Sequence, residues 1–282
     1  MKSGVEIYAR GSSARRCVAA GPRSSAVALL ALLAASTAAQ QPAIPGECER
    51  GWGRGDRAHF CEIRELTLPA SGSLTVGGGP NGGVQVTGWD RNEVLLRARV
   101  QAWADDEQEA AEIARQVQVR TDGTIRAEGP QRRGRASWAV SYEVFAPRAT
   151  DLQLETDNGG VAIENVRGDI DFRVSNGGVR LEGVGGDVRG RTTNGGINAT
   201  LTGGTWDGEG LDVETTNGGI RLQVPSDYSA RLESGTVNGQ IHIDFPVTVQ
   251  GRVGREISTT LGEGGPLVRV RTVNGGVRIS RD

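Results

Sequence analysis

Six copies of the tripeptide Asn-Gly-Gly recur along this chain, and their spacing constrains its fold more than any other feature. A near match, Asn-Gly-Gln, begins at Asn238. From Asn158 onward, with this near match included, the successive steps are 18, 18, 23, 21 and 36 residues. The last step is twice 18, which indicates one copy that has lost its Asn. Such a period is typical of a repeat architecture. The six copies begin at Asn81, Asn158, Asn176, Asn194, Asn217 and Asn274.

Apolar residues flank the copies at recurring offsets. They lie six and four places before the Asn, as at Leu152 and Leu154, and three and five places after it, as at Val161 and Ile163. Each arm alternates with period two, which predicts a half-buried strand on either side of a corner. The two arms are out of phase by one residue, so the corner must absorb an odd residue, as a bulged turn does. We expect tolerance of positive φ to explain why Asn and Gly mark the corner.

Two folds can use this unit, an antiparallel hairpin meander or a solenoid. Asn-Gly between strands is a hairpin signal, but a second Gly-rich corner lies between copies, at residues 167–169 and 185–187. The sequence therefore predicts an all-β fold over residues 151–282, a β-solenoid resembling a single-stranded β-helix, with coils of about 18 residues. The corner residues should stack into a hydrogen-bonded ladder; they are Asn158, Asn176, Asn194, Asn217, Asn238 and Asn274.

Residues 61–150 are less regular and predict a small strand-rich cap with one helix, over residues 105–117. That helix opens with acidic residues, which suit a helix N-terminus, and places an apolar stripe on one face. A hairpin is predicted at Asp122-Gly123. We expect the cap to cover the first coil, whereas the last coil should end the chain uncovered, with Arg278 and Arg281 guarding its edge. Strand patterns occupy residues 62–76, 83–87, 93–102 and 137–145.

Residues 1–39 are typical of an export signal. A basic stretch precedes an apolar run over residues 26–35 and then small residues. The run is too short to span a bilayer as a mature helix, so we expect no membrane span after cleavage; an uncleaved anchor is the alternative. Residues 40–60 predict a poorly ordered leader. In an oxidising compartment Cys48 and Cys61 predict one disulfide, with two free thiols as the alternative.

Charge argues against nucleic acid as a partner. The net charge is −2, and residues 1–39 carry five basic residues against one acidic residue, so the rest of the chain is at about −2 − 4 = −6. A mildly acidic body lacks the clustered basic face that nucleic-acid binding requires.

A family resemblance follows from several motifs taken together. The chain has a Gly88-Trp89-Asp90 turn, a strand pattern ending near Pro147, and Leu-x-Leu-x-Thr-x-Asn-Gly-Gly copies starting at Leu152, Leu211 and, loosely, Val268. Over residues 60–282 this resembles the bacterial putative-adhesin β-strand repeat family, a domain of unknown function. The resemblance implies an adhesin-like role in the cell envelope on a β-solenoid. It supplies no catalytic residues to carry over.

Few residues offer chemistry. Cys48, His59 and Cys61 do not match a zinc-finger spacing, and His242 should face solvent on a strand, so we expect no metal or cofactor. Asp169 and Asp187 are one repeat apart and could stack as an acid pair, although Asp also suits a Gly turn.

Two further motifs have alternative interpretations. Trp206 lies in an insertion of about five residues over 203–210 and is a possible ligand contact if exposed; the alternative is that it folds onto its own coil. Arg-Gly-Asp at residues 54–56 and 167–169 is attributed to chance and to the repeat.

The sequence predicts a non-enzymatic, exported protein of the cell envelope, located in the periplasm, at the cell surface or outside the cell. Its expected partner is a cell-surface or envelope glycan or protein. One alternative is a periplasmic scaffold or signalling partner. Another is a carbohydrate-acting enzyme on the same solenoid, which would need a groove lined by stacked acids.

Overall fold

The computed structural model describes residues 48, 51–52, 57–131, 134–248 and 254–281, which lie in one compact unit, Gly46–Asp282. The predicted signal over residues 1–39 and the first Arg-Gly-Asp, at 54–56, lie outside the described residues. No helix in the described part of the chain is long and apolar enough to cross a membrane.

Strands dominate the described chain, with one α-helix, α1 (Glu107–Gln116), and one short 3₁₀ turn, Gly79–Asn81. The strands of the first half are β1 (Gly51–Trp52), β2 (Ala58–Pro69), β3 (Ser73–Gly77), β4 (Val84–Trp89), β5 (Glu93–Ala104), β6 (Gln118–Arg120), β7 (Thr124–Glu128), β8 (Ser137–Pro147), β9 (Asp151–Asn158) and β10 (Val161–Glu164). Those of the second half are β11 (Arg167–Asn176), β12 (Val179–Glu182), β13 (Gly185–Asn194), β14 (Ile197–Thr200), β15 (Gly210–Asn217), β16 (Ile220–Val224), β17 (Ala230–Asn238), β18 (Ile241–Ile243), β19 (Glu256–Leu261), β20 (Leu267–Asn274) and β21 (Val277–Arg281).

Two large sheets contain these strands. Sheet 1 has the order β1-β2-β5-β8-β4-β10-β12-β14-β16-β21-β18, and sheet 2 has the order β19-β17-β20-β15-β13-β11-β9-β3-β7-β6. Each coil contributes one strand to each sheet, joined at the Asn-Gly-Gly corner, and neighbouring coils pair in parallel. The parallel pairing confirms a solenoid-like stack over the hairpin meander. The two sheets do not close on one another, so the single-stranded β-helix form of the prediction is not confirmed.

The core of the stack is built from rows of apolar side chains that repeat from coil to coil. Leu152, Ile170 and Val188 occupy one row in direct register, and all three are buried. In the next row, a Cβ on Gly190 would lie 2.2 Å from the ring of Phe172. The large ring of one coil therefore fills the space that a side chain of the next coil would occupy, as close-packed interiors require.

The first coil lies inside the segment predicted as the cap. β3 pairs in parallel with β9, and β4 pairs in parallel with β10. The 3₁₀ turn with Asn81 joins β3 to β4 at the same corner as the later copies. The predicted division at residue 150 is therefore not a boundary in the fold, because β3 and β4 belong to the stack. The predicted strand over 62–76 is in fact two strands, β2 and β3.

The last coil does not lie at the end of the stack. β20 pairs with β15 on one side and with β17 on the other, and β21 lies between β16 and β18. The 36-residue step contains β19, which pairs antiparallel with β17. The interpretation of a lost Asn copy is therefore wrong. The expectation of an uncovered final coil is also wrong, because the chain turns back and inserts its last coil one position inward.

The cap consists of long antiparallel strands with the helix packed on them. β5 pairs along its length with β2 and β8. The helix lies within the predicted 105–117, its first turn is capped by the Asp106 carboxylate, which accepts from the Glu109 N–H at 2.8 Å, and Ala110 and Ala114 are buried. At the other end of the helix, the Arg64 guanidinium donates to the Ala114 carbonyl at 2.7 Å.

A disulfide joins Cys48 to Cys61 at the start of β2, with a Cα–Cα distance of 5.3 Å. Disulfide sulfurs are not thiolates, so this pair is not a set of zinc ligands in this structure. The neighbouring His59 ring stacks on Trp103 at 5.3 Å between centroids.

Candidate functional site

The corner asparagines form a ladder of side-chain amides along the stack. Each Nδ2 donates to the Oδ1 of the next Asn, at 2.9 Å from Asn176 to Asn158 and 2.8 Å from Asn194 to Asn176. The ladder continues through Asn217, Asn274 and Asn238 at 2.8–2.9 Å. The six predicted corner residues are thus brought together, although Asn274 precedes Asn238 in space.

The middle glycine of each corner is required by close approach, not by its φ. A Cβ on Gly195 would lie 1.9 Å from the Gly177 carbonyl oxygen, and one on Gly218 would lie 2.0 Å from that of Gly195. None of the Asn-Gly-Gly corner residues described has a positive φ. The expectation that positive φ explains the motif is therefore wrong: glycine is needed because successive corners stack backbone on backbone.

A second ladder lies beneath the first, built from threonines two places before the corner Asn. The buried Thr192 hydroxyl donates to the Gly177 carbonyl at 3.0 Å, and Thr215 donates to Gly195 at 2.7 Å. Thr156, Thr236 and Thr272 make the same contact. Because the corner's amides, hydroxyls and carbonyls are largely used within the stack, the corner is chiefly a structural element.

The outer face of sheet 2 carries charged side chains that pair with one another. Asp169 on β11 and Asp187 on β13 are in direct register. Asp187 lies 2.6 Å from the Arg189 guanidinium, and the Asp169 N–H donates to the Asp151 carboxylate at 2.8 Å. Ion pairs continue across β15, β20 and β17 through Arg269. These acids serve turns and ion pairs, which favours the interpretation of Asp169 and Asp187 as turn residues.

Trp206 is not available as a ligand contact. Its side chain is 4% exposed, and its indole N–H donates to the Gly186 carbonyl at 2.9 Å. The insertion therefore folds onto its own stack, as the alternative interpretation of Trp206 held. His242 lies on β18 with its side chain exposed, as the strand alternation predicted.

The Gly-Trp-Asp turn also has a structural role. A Cβ on Gly88 would lie 1.9 Å from the Asn165 carbonyl oxygen, and the Trp89 indole donates to the Glu93 carbonyl at 2.9 Å. The Asp90 carboxylate accepts from Arg148 at 2.7 Å. This hydrogen bond and the guanidinium charge lower the pKa of Asp90.

A groove of about 290 Å³ lies where the cap meets the first coil of the stack. It lies beyond the short pairing of β7 with β3, which covers only two positions and ends at Ile125. We name it the junction groove. Its lining combines backbone, one aromatic ring and charged groups: Gly77–Asn81, Thr124, Arg126, Ala127, Trp138–Val140 and Glu155–Asp157.

Trp138 is the fixed element of the junction groove. Its indole N–H donates to the Pro130 carbonyl at 2.9 Å. A Cβ on Gly129 would lie 2.8 Å from the ring, so Gly129 is the residue that allows the chain to pass this closely over the indole. The ring is half-buried and held in place, as a preformed apolar surface in a binding groove should be.

Charged groups line the two sides of the groove. Glu155 and Asp157 on β9 are exposed. Arg126 on β7 pairs with Glu128 at 3.0 Å. The residues that line the groove thus include one aromatic residue, two acidic residues and one arginine. This site was not predicted from the sequence, because the pattern of residues 137–145 indicates only an apolar strand. The available signal for the site was Trp138, a large aromatic residue directly after the polar Ser137.

Comparisons with known proteins find one matching family model and several similar solved structures. A family model described as Toastrack DUF4097 matches residues 109–280, more than half of the chain. A putative cell adhesion protein from Clostridium sporogenes is 9% identical, with 79% of this chain and 100% of that chain covered and a TM-score of 0.43. A putative adhesin from Bacteroides fragilis is 11% identical, with 79% and 97% covered and a TM-score of 0.39.

A third solved structure, a putative lipid binding protein from Parabacteroides distasonis, is 11% identical, with 79% of this chain and 96% of that chain covered and a TM-score of 0.30. At these identities and TM-scores, the solved structures carry no information about a ligand of this chain. No curated protein matches it.

Proposed function

This chain belongs to the Toastrack DUF4097 family, and we propose that it acts as an exported, non-enzymatic envelope protein that binds a glycan in an adhesin-like manner. The junction groove is the proposed binding site. The observation that carries the proposal is that the half-buried, hydrogen-bonded Trp138 and the acidic residues Glu155 and Asp157 line the same groove. An apolar ring face suits the C–H face of a sugar, and carboxylates accept from its hydroxyls.

The support beneath the groove favours binding without rearrangement. Glu155 lies on β9, which pairs with β3 and β11 in the interior of sheet 2. The Thr156 hydroxyl donates to the Gly82 carbonyl at 2.7 Å and fixes this strand to the first corner. A site built on such paired strands loses little conformational entropy when a ligand binds.

The enzyme alternative would need two acids free to exchange protons with a substrate. On sheet 2, Asp187, Asp212 and Glu233 instead pair with arginines at 2.6–3.2 Å. A carboxylate whose oxygens are held by a guanidinium is not free to contact a substrate. These contacts support a binding role over a catalytic one for this face.

Glycan-array screening followed by titration calorimetry tests the proposal. Trp138→Ala should weaken binding of the selected glycan about tenfold, the loss expected when an aromatic contact is removed, while Trp138→Phe should retain most of it. Trp103→Ala is the matched control, since Trp103 is a half-buried tryptophan of the cap outside the groove. Unchanged affinity of Trp138→Ala, or an array without a bound glycan, would contradict the proposed function.

Location separates the adhesin-like role from the scaffold alternative. Protease added to intact cells should cleave the chain if it is displayed at the surface. Protection until the outer layer is permeabilised would favour a periplasmic scaffold or signalling partner instead.

A further inference from the structure

A second groove, of about 380 Å³, lies near the other end of the stack. It runs over the Asn-Gly-Gly corners onto the outer face of sheet 1. Its floor is glycine backbone and its side carries positive charge; we name it the distal basic groove. It is lined by Gly196, Gly219, Ile220, Arg221, Gln240, His242, Gly276, Val277 and Arg278.

The register of sheet 1 brings its polar side chains together. Arg221 on β16 is opposite Arg278 on β21, and Arg278 is opposite His242 on β18. All three side chains are exposed. Adjacent strands are about 4.8 Å apart, so the three groups form a row about 10 Å long. Arg221 and Arg278 are direct neighbours in this row because the last coil is inserted between two earlier ones.

The two arginines of this row differ from most others on the stack in having no acidic partner. Arg180 pairs with Glu182 at 2.6 Å, and Arg269 pairs with Glu233 at 2.8 Å. Within the described part of the chain, no carboxylate forms an ion pair with Arg221 or Arg278. The Arg221 guanidinium lies 3.5 Å from the Asn198 amide oxygen instead. Two neighbouring like charges without compensation are unfavourable for folding alone and favour an anionic ligand.

The floor of the distal basic groove consists of glycines, which place no side chain there. A Cβ on Gly196, Gly219 or Gly276 would lie 3.1–3.3 Å from a carbonyl oxygen of the neighbouring coil. The coil with β18, at the end of the stack, has Gln240 at the equivalent position. In the described chain no further coil lies beyond it, so Gln240 closes the trough. The result is an open channel that an extended chain can follow, with an amide at its end.

We infer that the distal basic groove binds an acidic polysaccharide. The Arg221 and Arg278 guanidinium groups would each donate to a carboxylate of a uronate residue, which their planar donor geometry fits. The Asn198 and Gln240 amides would hydrogen-bond sugar hydroxyls. The site goes beyond the proposed function and does not depend on Trp138, which lies in the other groove.

Titration of the full chain with a galacturonate oligosaccharide tests this inference. The double variant Arg221→Gln, Arg278→Gln should bind at least tenfold more weakly than the wild type. Arg180→Gln is the matched control: Arg180 lies in the same row of sheet 1 but is paired with Glu182 and outside the groove. It should bind within about twofold of the wild type. The three arginines are exposed, so unchanged thermal midpoints would show that all variants fold.

Further probes distinguish the ligand class. A neutral glucan oligosaccharide of equal length should not bind, and Trp138→Ala should leave uronate binding intact. Loss of uronate binding in Trp138→Ala would overturn the assignment to a separate site. Equal binding of inorganic tripolyphosphate, or of vesicles rich in phosphatidylglycerol, would overturn the polysaccharide assignment in favour of a general anion site or a lipid surface. Wild-type affinity in the double variant would overturn it altogether.

Discussion

The interior coils of the stack and the antiparallel cap bury their apolar surface in different ways. Each coil over residues 151–224 has nearly identical neighbours on both sides, so the same side chains recur at the same places. The cap strands β2, β5 and β8 each have unique neighbours, and the helix packs on them once. Because the surroundings of each coil repeat, the sequence of the coils repeats as well. The contacts of the cap strands occur only once, so they produce no repeating pattern in the sequence.

The difference extends to the interactions that fix each region. In the stack, stability depends on backbone approach at the corners and on two hydrogen-bonded ladders. In the cap it depends on apolar packing and on the Arg97 side chain, which is 6% exposed and lies between the Glu65 and Glu143 carboxylates. Changes at the corner should therefore act on all coils of the stack, and changes in the cap should act locally.

The largest effect should follow from Gly195→Ala. Its Cβ would lie 1.9 Å from a neighbouring backbone oxygen, which cannot move without displacing a coil. We expect a loss of at least about 3 kcal/mol in the free energy of unfolding, at the upper range for overpacking. Gly178→Ala is the matched control, because its Cβ would lie 3.6 Å from the nearest atom. Equal denaturation midpoints for the two variants would contradict the close-approach explanation.

A smaller effect is expected from Asn176→Ala, which breaks the amide ladder. The side chain donates to Asn158 at 2.9 Å and accepts from Asn194 at 2.8 Å. Loss of both contacts should cost roughly 1–2 kcal/mol, measured by urea denaturation. Asn198→Ala removes an exposed amide outside the ladder and should change stability little. An Asn176→Ala midpoint equal to that of Asn198→Ala would rule out a stabilising ladder.

The hydroxyl ladder can be tested in both directions. Thr192→Val keeps the shape of the side chain but leaves the Gly177 carbonyl without its donor, at an expected cost of about 1 kcal/mol. Position 174 is naturally Val, and it is buried. Val174→Thr should therefore add a hydroxyl donor at the equivalent position of the neighbouring coil. We expect it to lose less stability than Thr192→Val. Greater destabilisation by Val174→Thr would show that the hydroxyl contacts do not stabilise the corner.

The smallest effect is predicted in the cap, for Tyr142→Phe. The Tyr142 hydroxyl is buried without a hydrogen-bond partner, so its removal should leave stability unchanged or raise it by up to about 1 kcal/mol. Burial also raises the pKa of Tyr142 above its usual value. The wild type should therefore lose stability above about pH 10, where the unfolded chain ionises. The variant should lose less over that range; an equal loss would contradict the burial argument.

Sequence patterns predicted the parts of this fold that depend on local or repeated environments. The alternating arms, the Asn ladder, the helix near Asp106 and the pairing of Cys48 with Cys61 all follow from residue type and spacing. The position of the last coil could not be predicted, because its strand register is compatible both with stacking in sequence order and with insertion between the two preceding coils. The reason for glycine at the corner depends on a neighbouring coil's carbonyl, which is a contact distant in sequence.

The candidate sites were less accessible to sequence reasoning for the same reason. The junction groove joins Trp138 of the cap to Glu155 of the stack, and the distal basic groove joins Arg221 to Arg278. Neither pair is close in sequence. Trp206 stood out because it lies in an insertion, yet burial was the better use of a large apolar ring beside the Gly186 carbonyl.

The order of the final coils is the claim on which both the fold and the distal basic groove depend, and disulfide mapping tests it directly. Two double variants would be oxidised mildly and mapped by mass spectrometry, with the native cysteines retained: Arg221→Cys with Arg278→Cys, and Arg221→Cys with His242→Cys. Adjacent strands are about 4.8 Å apart and alternate strands roughly 10 Å apart, beyond the reach of a disulfide.

The inserted order places β21 beside β16 and β18 beyond it. We therefore predict a disulfide in the 221–278 variant and none in the 221–242 variant. The reverse result, a bond between positions 221 and 242 and none between 221 and 278, would mean that the coils stack in sequence order and would contradict the account.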